Sequence, residues 1–149
     1  MTLRKPHLLA ADDGSTLPLT IFYGFLSLAL ILMVVAATSL YLERKRLFTL
    51  ADGAALVGAE AFALDDVTLT PSGYRPTLTS AQVAAAVANY LDSNPIGGFD
   101  SLVVESAGTL DGRSAAVSLS ANWSPPVLSL LVPSGLRLEV TAVARSVFS

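Results

Sequence analysis

The residues able to do chemistry are few, and their spacing assembles no site. His7 is the single histidine and cysteine is absent, so the usual ligand sets for zinc, haem and iron–sulfur clusters are missing. A Ser-His-Asp arrangement would need that same His7, which stands in a polar leader. Gly97-Gly98 lacks the following lysine of a phosphate cradle and reads as a turn. Asp65-Asp66 could face a hard cation, but adjacent acids point apart and no spaced acidic loop follows, so the pair reads as a helix terminator. Asp12-Asp13 reads as polarity at a membrane edge or, alternatively, as a mark for a processing enzyme. Trp123, just ahead of Pro125-Pro126, reads as a core or rim aromatic, with a partner-contact anchor as the alternative. No catalytic, metal or cofactor site is expected, and the chain reads as a non-enzyme.

What the sequence does specify is a membrane helix. No charged residue occurs from Ser15 to Leu42. A helix of that length spans about 40 Å, more than the ~30 Å hydrocarbon core of a bilayer. Helical structure is required there, because lipid offers backbone groups no partners. A cleaved secretory signal competes with this reading, since Val35-Ala36-Ala37 has a small-residue pattern, but such apolar regions usually run only ~7–15 residues. The continuation also favours one long helix. Leu47, Leu50, Ala54, Val57, Ala61 and Leu64 recur at alternating steps of three and four, a stripe that extends the membrane segment.

Charge divides at the same place. Up to Arg46, five cations face three acids, a net of +2; beyond it, four arginines face nine acids, a net of −5. That acidic balance argues against a nucleic-acid groove. Arg4 and Lys5 on one side of the apolar run nearly balance Arg44, Lys45 and Arg46 on the other, so the positive-inside rule leaves orientation open.

The remainder reads as a small α+β head. Val67–Thr70 is a short β-prone run ending at Pro71-Ser72-Gly73. Thr79-Ser80-Ala81-Gln82 is a capping box opening a helix over Ser80–Leu91, with Val83, Val87, Tyr90 and Leu91 on one face. Asn94-Pro95 and Gly97-Gly98 close it. Leu102–Thr109 and Ser114–Trp123 flank Asp111-Gly112, a hairpin signal. Val127–Val132 is an apolar run too short to assign. In Leu136–Phe148, Leu136, Leu138, Val140, Ala142 and Ala144 alternate with Arg137, Glu139, Thr141 and Arg145. The fold expected is a long amino-terminal helix carrying a head with one short helix and an antiparallel sheet of about three strands.

From Gly14 to Ala63 the sequence resembles the amino-terminal module of TadE/TadG-like proteins of the tight-adherence (Flp, type IVc) pilus systems. The elements carrying the resemblance are Gly14-Ser15, the apolar run to Leu40, Tyr41, the basic cluster Arg44-Lys45-Arg46, Leu47, and the block Asp52-Gly53-Ala54-Ala55-Leu56. The resemblance implies a short cytoplasmic leader, residues 1–14, a transmembrane helix over 15–42, a helical stalk over 43–64, and an extracytoplasmic head over 65–149. It implies a single-pass protein of the inner (plasma) membrane or the pilus surface. Its partners would be the membrane, pilin-like subunits, the pilus assembly platform and a prepilin peptidase cutting between Gly14 and Ser15. Leu19 stands where processed pilins carry a glutamate, and Ala36 where many members carry an acid. Tyr41, Arg44, Lys45, Arg46, Leu47, Asp52, Ala55 and Leu56 become candidate partner contacts, Asp52 first, because its helical neighbours Phe48, Thr49, Ala55 and Leu56 include no cation. Small residues such as Gly24, Ser27, Ala29, Ala51 and Gly58 would let the helix exchange lipid for a helical bundle. Two other functions stay open: a single-pass anchored module binding an envelope partner, and a small domain secreted after cleavage near Ala37.

Overall fold

Apolar side chains in unbroken sequence, with no interior proline, allow one uninterrupted helix, and α1 runs from Thr16 to Ala59. Pro18 falls in its first turn, where a missing N–H breaks no intrahelical bond. This is a computed structural model that describes residues 16–63, 67–71, 73–94, 98–124 and 135–145. His7, Asp12, Asp13, Gly14, Ser15, Asp65, Asp66 and Val127–Val132 lie outside the described residues.

The chain divides into two compact units, Met1–Val34 and Val35–Ser149. The described part of the first is the apolar beginning of α1. Its side chains are almost all exposed, Phe25 at 73 % and Leu17 at 67 %. Thr20 turns its hydroxyl back onto the Thr16 carbonyl at 2.9 Å, so even this polar group is satisfied within the helix. The helix is long and apolar enough to cross a membrane, with a mean hydropathy of 2.5 in its most apolar stretch.

The second unit is built on the rest of α1. After the helix come β1 (Val67–Thr70) and β2 (Gly73–Pro76), then α2 (Ser80–Ser93), β3 (Asp100–Gly108), β4 (Ser114–Trp123) and β5 (Leu136–Arg145). β1 and β2 form an antiparallel hairpin; β3, β4 and β5 form an antiparallel sheet with β4 in the centre. The α+β class and the three-stranded sheet are as expected. The hairpin is an addition: Gly73–Pro76 does not read as strand, because proline cannot donate to a ladder and is tolerated only at an edge.

Local signals explain the remaining elements. Thr79 caps α2, its hydroxyl accepting from the Gln82 N–H, while the Gln82 side chain accepts from the Thr79 N–H at 2.9 Å. The β3–β4 loop is longer than a two-residue turn. Gly112 supplies a φ of +67°, and the Asp111 carboxylate accepts from the backbone N–H groups of Arg113 and Ser114 at 2.9 and 2.7 Å.

Alternation along β4 and β5 separates two faces. Ala115, Val117, Leu119, Ala121 and Trp123 are buried on one side with Val140 and Ala142. Against that face lie Val83 and Val87 of α2 and the stripe Leu47, Leu50, Ala51, Ala54, Ala55 and Ala59 of α1, all in one core. The stripe departs from the expected one. Val57 is 37 % exposed, and α1 stops at Ala59, short of Leu64. A seven-residue repeat drifts by about 20° per heptad on a straight helix, so later residues rotate into the contact in its place.

Two contacts fix how β4 lies on α1. A Cβ added to Gly58 would meet Ala115 Cβ at 3.2 Å and Val83 Cγ1 at 3.0 Å. At the other end, Trp123 Nε1 donates to Ser39 Oγ at 3.3 Å. From Ala115 to Trp123 a strand rises about 26 Å, and from Ser39 to Gly58 a helix rises about 28 Å. The two distances agree, so β4 runs lengthwise along α1 in the opposite direction.

The stripe predicts a contrast between neighbours on one helix. Leu47→Ala should cost about 2–5 kcal/mol of stability, whereas Leu56→Ala, at a half-exposed position, should stay within about 0.5 kcal/mol. Thermal or denaturant unfolding of the detergent-solubilised protein measures both, and equal losses would contradict this packing.

Candidate partner interface

The expected contact residues separate onto two faces of α1. Leu47 and Ala55 are fully buried in the core. Tyr41, Arg44, Lys45, Arg46, Asp52 and Leu56 are exposed. Gly14 and Ser15 lie outside the described residues.

On the exposed side Tyr41, Lys45, Phe48, Asp52 and Leu56 follow one another at steps of four, three, four and four, which aligns them along the helix. Tyr41 is 63 % exposed, Leu56 51 % and Phe48 48 %. Large apolar groups with helical spacing on the side away from the core make a second apolar stripe, broken by one cation and one acid. Phe48 is the member that motif reasoning missed. Its signal was available in the sequence, as the residue one turn before Asp52.

Beside this stripe, α1 and the far end of α2 enclose a groove of about 610 Å³, lined by Leu42, Glu43, Lys45, Arg46, Thr49, Leu50, Tyr90, Gly98 and Phe99. Arg46 approaches Glu43 only at 4.0 Å, one turn apart, a solvent-exposed pair worth little. Lys45 and Arg44 take part in no ion pair among the described residues, nor does Asp52. The groove therefore presents cations over an apolar floor, and the stripe presents a free carboxylate.

The sheet and its β3–β4 loop carry charged groups of their own. Glu105 Oε1 accepts from Ser120 Oγ at 2.5 Å and from Arg137 Nη2 at 2.5 Å, tying β3, β4 and β5 together. Ser120 is fully buried beneath this crosslink. The Ser120 and Arg137 hydrogen bonds hold the Glu105 carboxyl below its ordinary 4.5. The group thus links the three strands. Near the hairpin, hydrogen bonds from the Ser114 hydroxyl and the Ser114 and Arg113 N–H groups, and then from Arg145, hold Asp111 well below its ordinary 3.8. Among the described residues no three metal-ligating side chains come together.

The residues on both faces of α1 fall within one continuous match. Residues 14–61 match the Tad family model. Its description is "Putative Flp pilus-assembly TadE/G-like", and the match covers about a third of the chain. No curated protein and no solved structure matches the chain. The Tad match supports a role connected with Flp pilus assembly, and with the apolar start of α1 it supports anchoring in a membrane. It takes in nearly all of α1, including the buried stripe and the exposed one, and stops before β1.

The two strapped carboxylates predict an acid limb of stability. Both folded values lie below those of the unfolded chain, so their stabilisation is complete above about pH 4.5 and is lost as pH falls through each folded value. Unfolding midpoints should drop on acidification below that point. The double variant Glu105→Gln/Asp111→Asn should start lower at neutral pH and lose less on acidification, and an unchanged acid limb would contradict these assignments.

Proposed function

We propose that the protein is a non-enzymatic, pilin-like membrane component of a Flp-type pilus or related secretion machine, acting in assembly or as a minor subunit. The match over residues 14–61 carries this reading, and the division of α1 into a core face and an exposed apolar face supports it. One face holds the helix to its own head. The other leaves Tyr41, Phe48 and Leu56 free for the helices of neighbouring subunits. In the membrane portion a Cβ added at Gly24 would meet nothing within 4 Å, and its absence lets another helix approach closely there. An apolar helix can leave lipid for a protein bundle because the two surroundings have similar polarity.

Specificity in such a bundle would come from the charges. Asp52 and the groove cations Lys45 and Arg46 seek complementary groups on pilin-like subunits or on the assembly platform. Asp52→Ala should leave the protein inserted and folded but weaken its co-purification with other pilus components and reduce piliation. Unchanged co-purification and piliation would reject the role. The amino-terminal residue of the purified protein reports cleavage by a prepilin peptidase, which would leave Ser15 first.

The same reading places the head outside the inner membrane and residues 1–14 in the cytoplasm. The chain has no cysteine, and Leu110 is fully exposed at the hairpin tip. A Leu110→Cys variant should therefore react with a membrane-impermeant maleimide in intact spheroplasts. Labelling that requires lysis would place the head inside.

A further inference from the structure

Trp123 is bonded to a residue of the uncharged run. Ser39, which accepts its indole N–H at 3.3 Å, comes before Leu42, the last residue of that run. If α1 spans a bilayer, as proposed above, the level of Ser39 can be bounded from both ends of the run. About 20 helical residues cross the ~30 Å hydrocarbon core, and the headgroup layer adds about 5–8 Å on each side. Counted from Thr16, the core ends near Val35 and Ser39 stands about 6 Å beyond it, among the headgroups. Counted back from Leu42, Ser39 is inside the hydrocarbon edge by about 4–5 Å. In neither case does it stand clear of the lipid.

We propose that the end of the head formed by Trp123 and Leu136 is seated in the headgroup layer of the bilayer that α1 crosses. The two residues are partners across β4 and β5, and Leu136 is 50 % exposed at that end of the sheet. Tyr41 and Leu42, exposed at 63 % and 51 %, continue the same uncharged zone on α1. Tyrosine suits this layer, with an apolar ring and a polar handle, while Trp123, only 8 % exposed, closes the core directly behind it. Charged groups begin one residue further into the sheet, at Arg137 and at Asp100 opposite Asn122, which gives the apolar end a polar rim.

Trp123 is the only tryptophan, so its fluorescence reports this end of the head without any substitution. The full chain is reconstituted into phosphatidylcholine–phosphatidylglycerol vesicles in which one lipid is brominated either high on its acyl chain or near the chain end. A flotation gradient on the same samples reports membrane insertion separately. The expected result is co-flotation, with most of the emission lost to the shallow bromine and much less to the deep one. Co-flotation with emission unaffected by either bromine would overturn the seating while leaving the membrane helix intact. Stronger quenching by the deep bromine would overturn it too. Failure to float would overturn the membrane reading and, with it, the seating.

Discussion

Gly58 has no Cβ, and the space one would occupy is bounded by Val83 of α2 and Ala115 of β4. The approach of helix to sheet at this point sets the geometry of the whole second unit. Alanines at 51, 54, 55 and 59 continue the stripe along α1, and Ala115 and Ala121 of β4 belong to the same core. Small residues leave little apolar volume per contact. The core compensates by length, from Leu47 to Ala59, and by placing its larger side chains, Leu47, Leu50 and Leu119, toward one part of the interface. The small residues that would suit a helix for bundling are thus, in this half of α1, used against the protein's own head.

That use leaves the opposite face of the helix available. Tyr41, Phe48 and Leu56 are apolar and exposed, with Lys45 and Asp52 between them. The outer face of the sheet is different in kind: several of its polar groups pair within the sheet, as in the Ser118–Thr141 contact at 2.8 Å and the Glu105–Arg137 crosslink. Polar groups already paired offer little to a partner, whereas an apolar helix face with charges that no described residue pairs offers both area and specificity. On the proposed function, subunit contacts belong to α1 and the sheet faces solvent.

Much of this was legible in the sequence because its signals are local. The Thr79–Gln82 capping box set the start of α2, and alternation over Ser114–Trp123 and Leu136–Arg145 set the faces of β4 and β5. Asp111-Gly112 located the β3–β4 reversal, although side-chain capping by Asp111 made a longer loop than the dipeptide alone suggests. Where the reading fell short, the cause was tertiary. The drift of the stripe away from Val57 depends on what α1 packs against, and the exposed role of Phe48 is defined only once the buried face is known. The Trp123–Ser39 bond joins residues 84 positions apart, and no spacing rule anticipates it.

The lengthwise run of β4 along α1 has a mechanical meaning. A load applied along the helix axis reaches the sheet through contacts spread from Ser39 to Gly58, so they are strained together in shear. A strand crossing the helix at a steep angle would be peeled away one contact at a time. Sharing the load in this way needs no single strong bond, which suits a core rich in alanine. A head so attached would give way only when the whole seam fails.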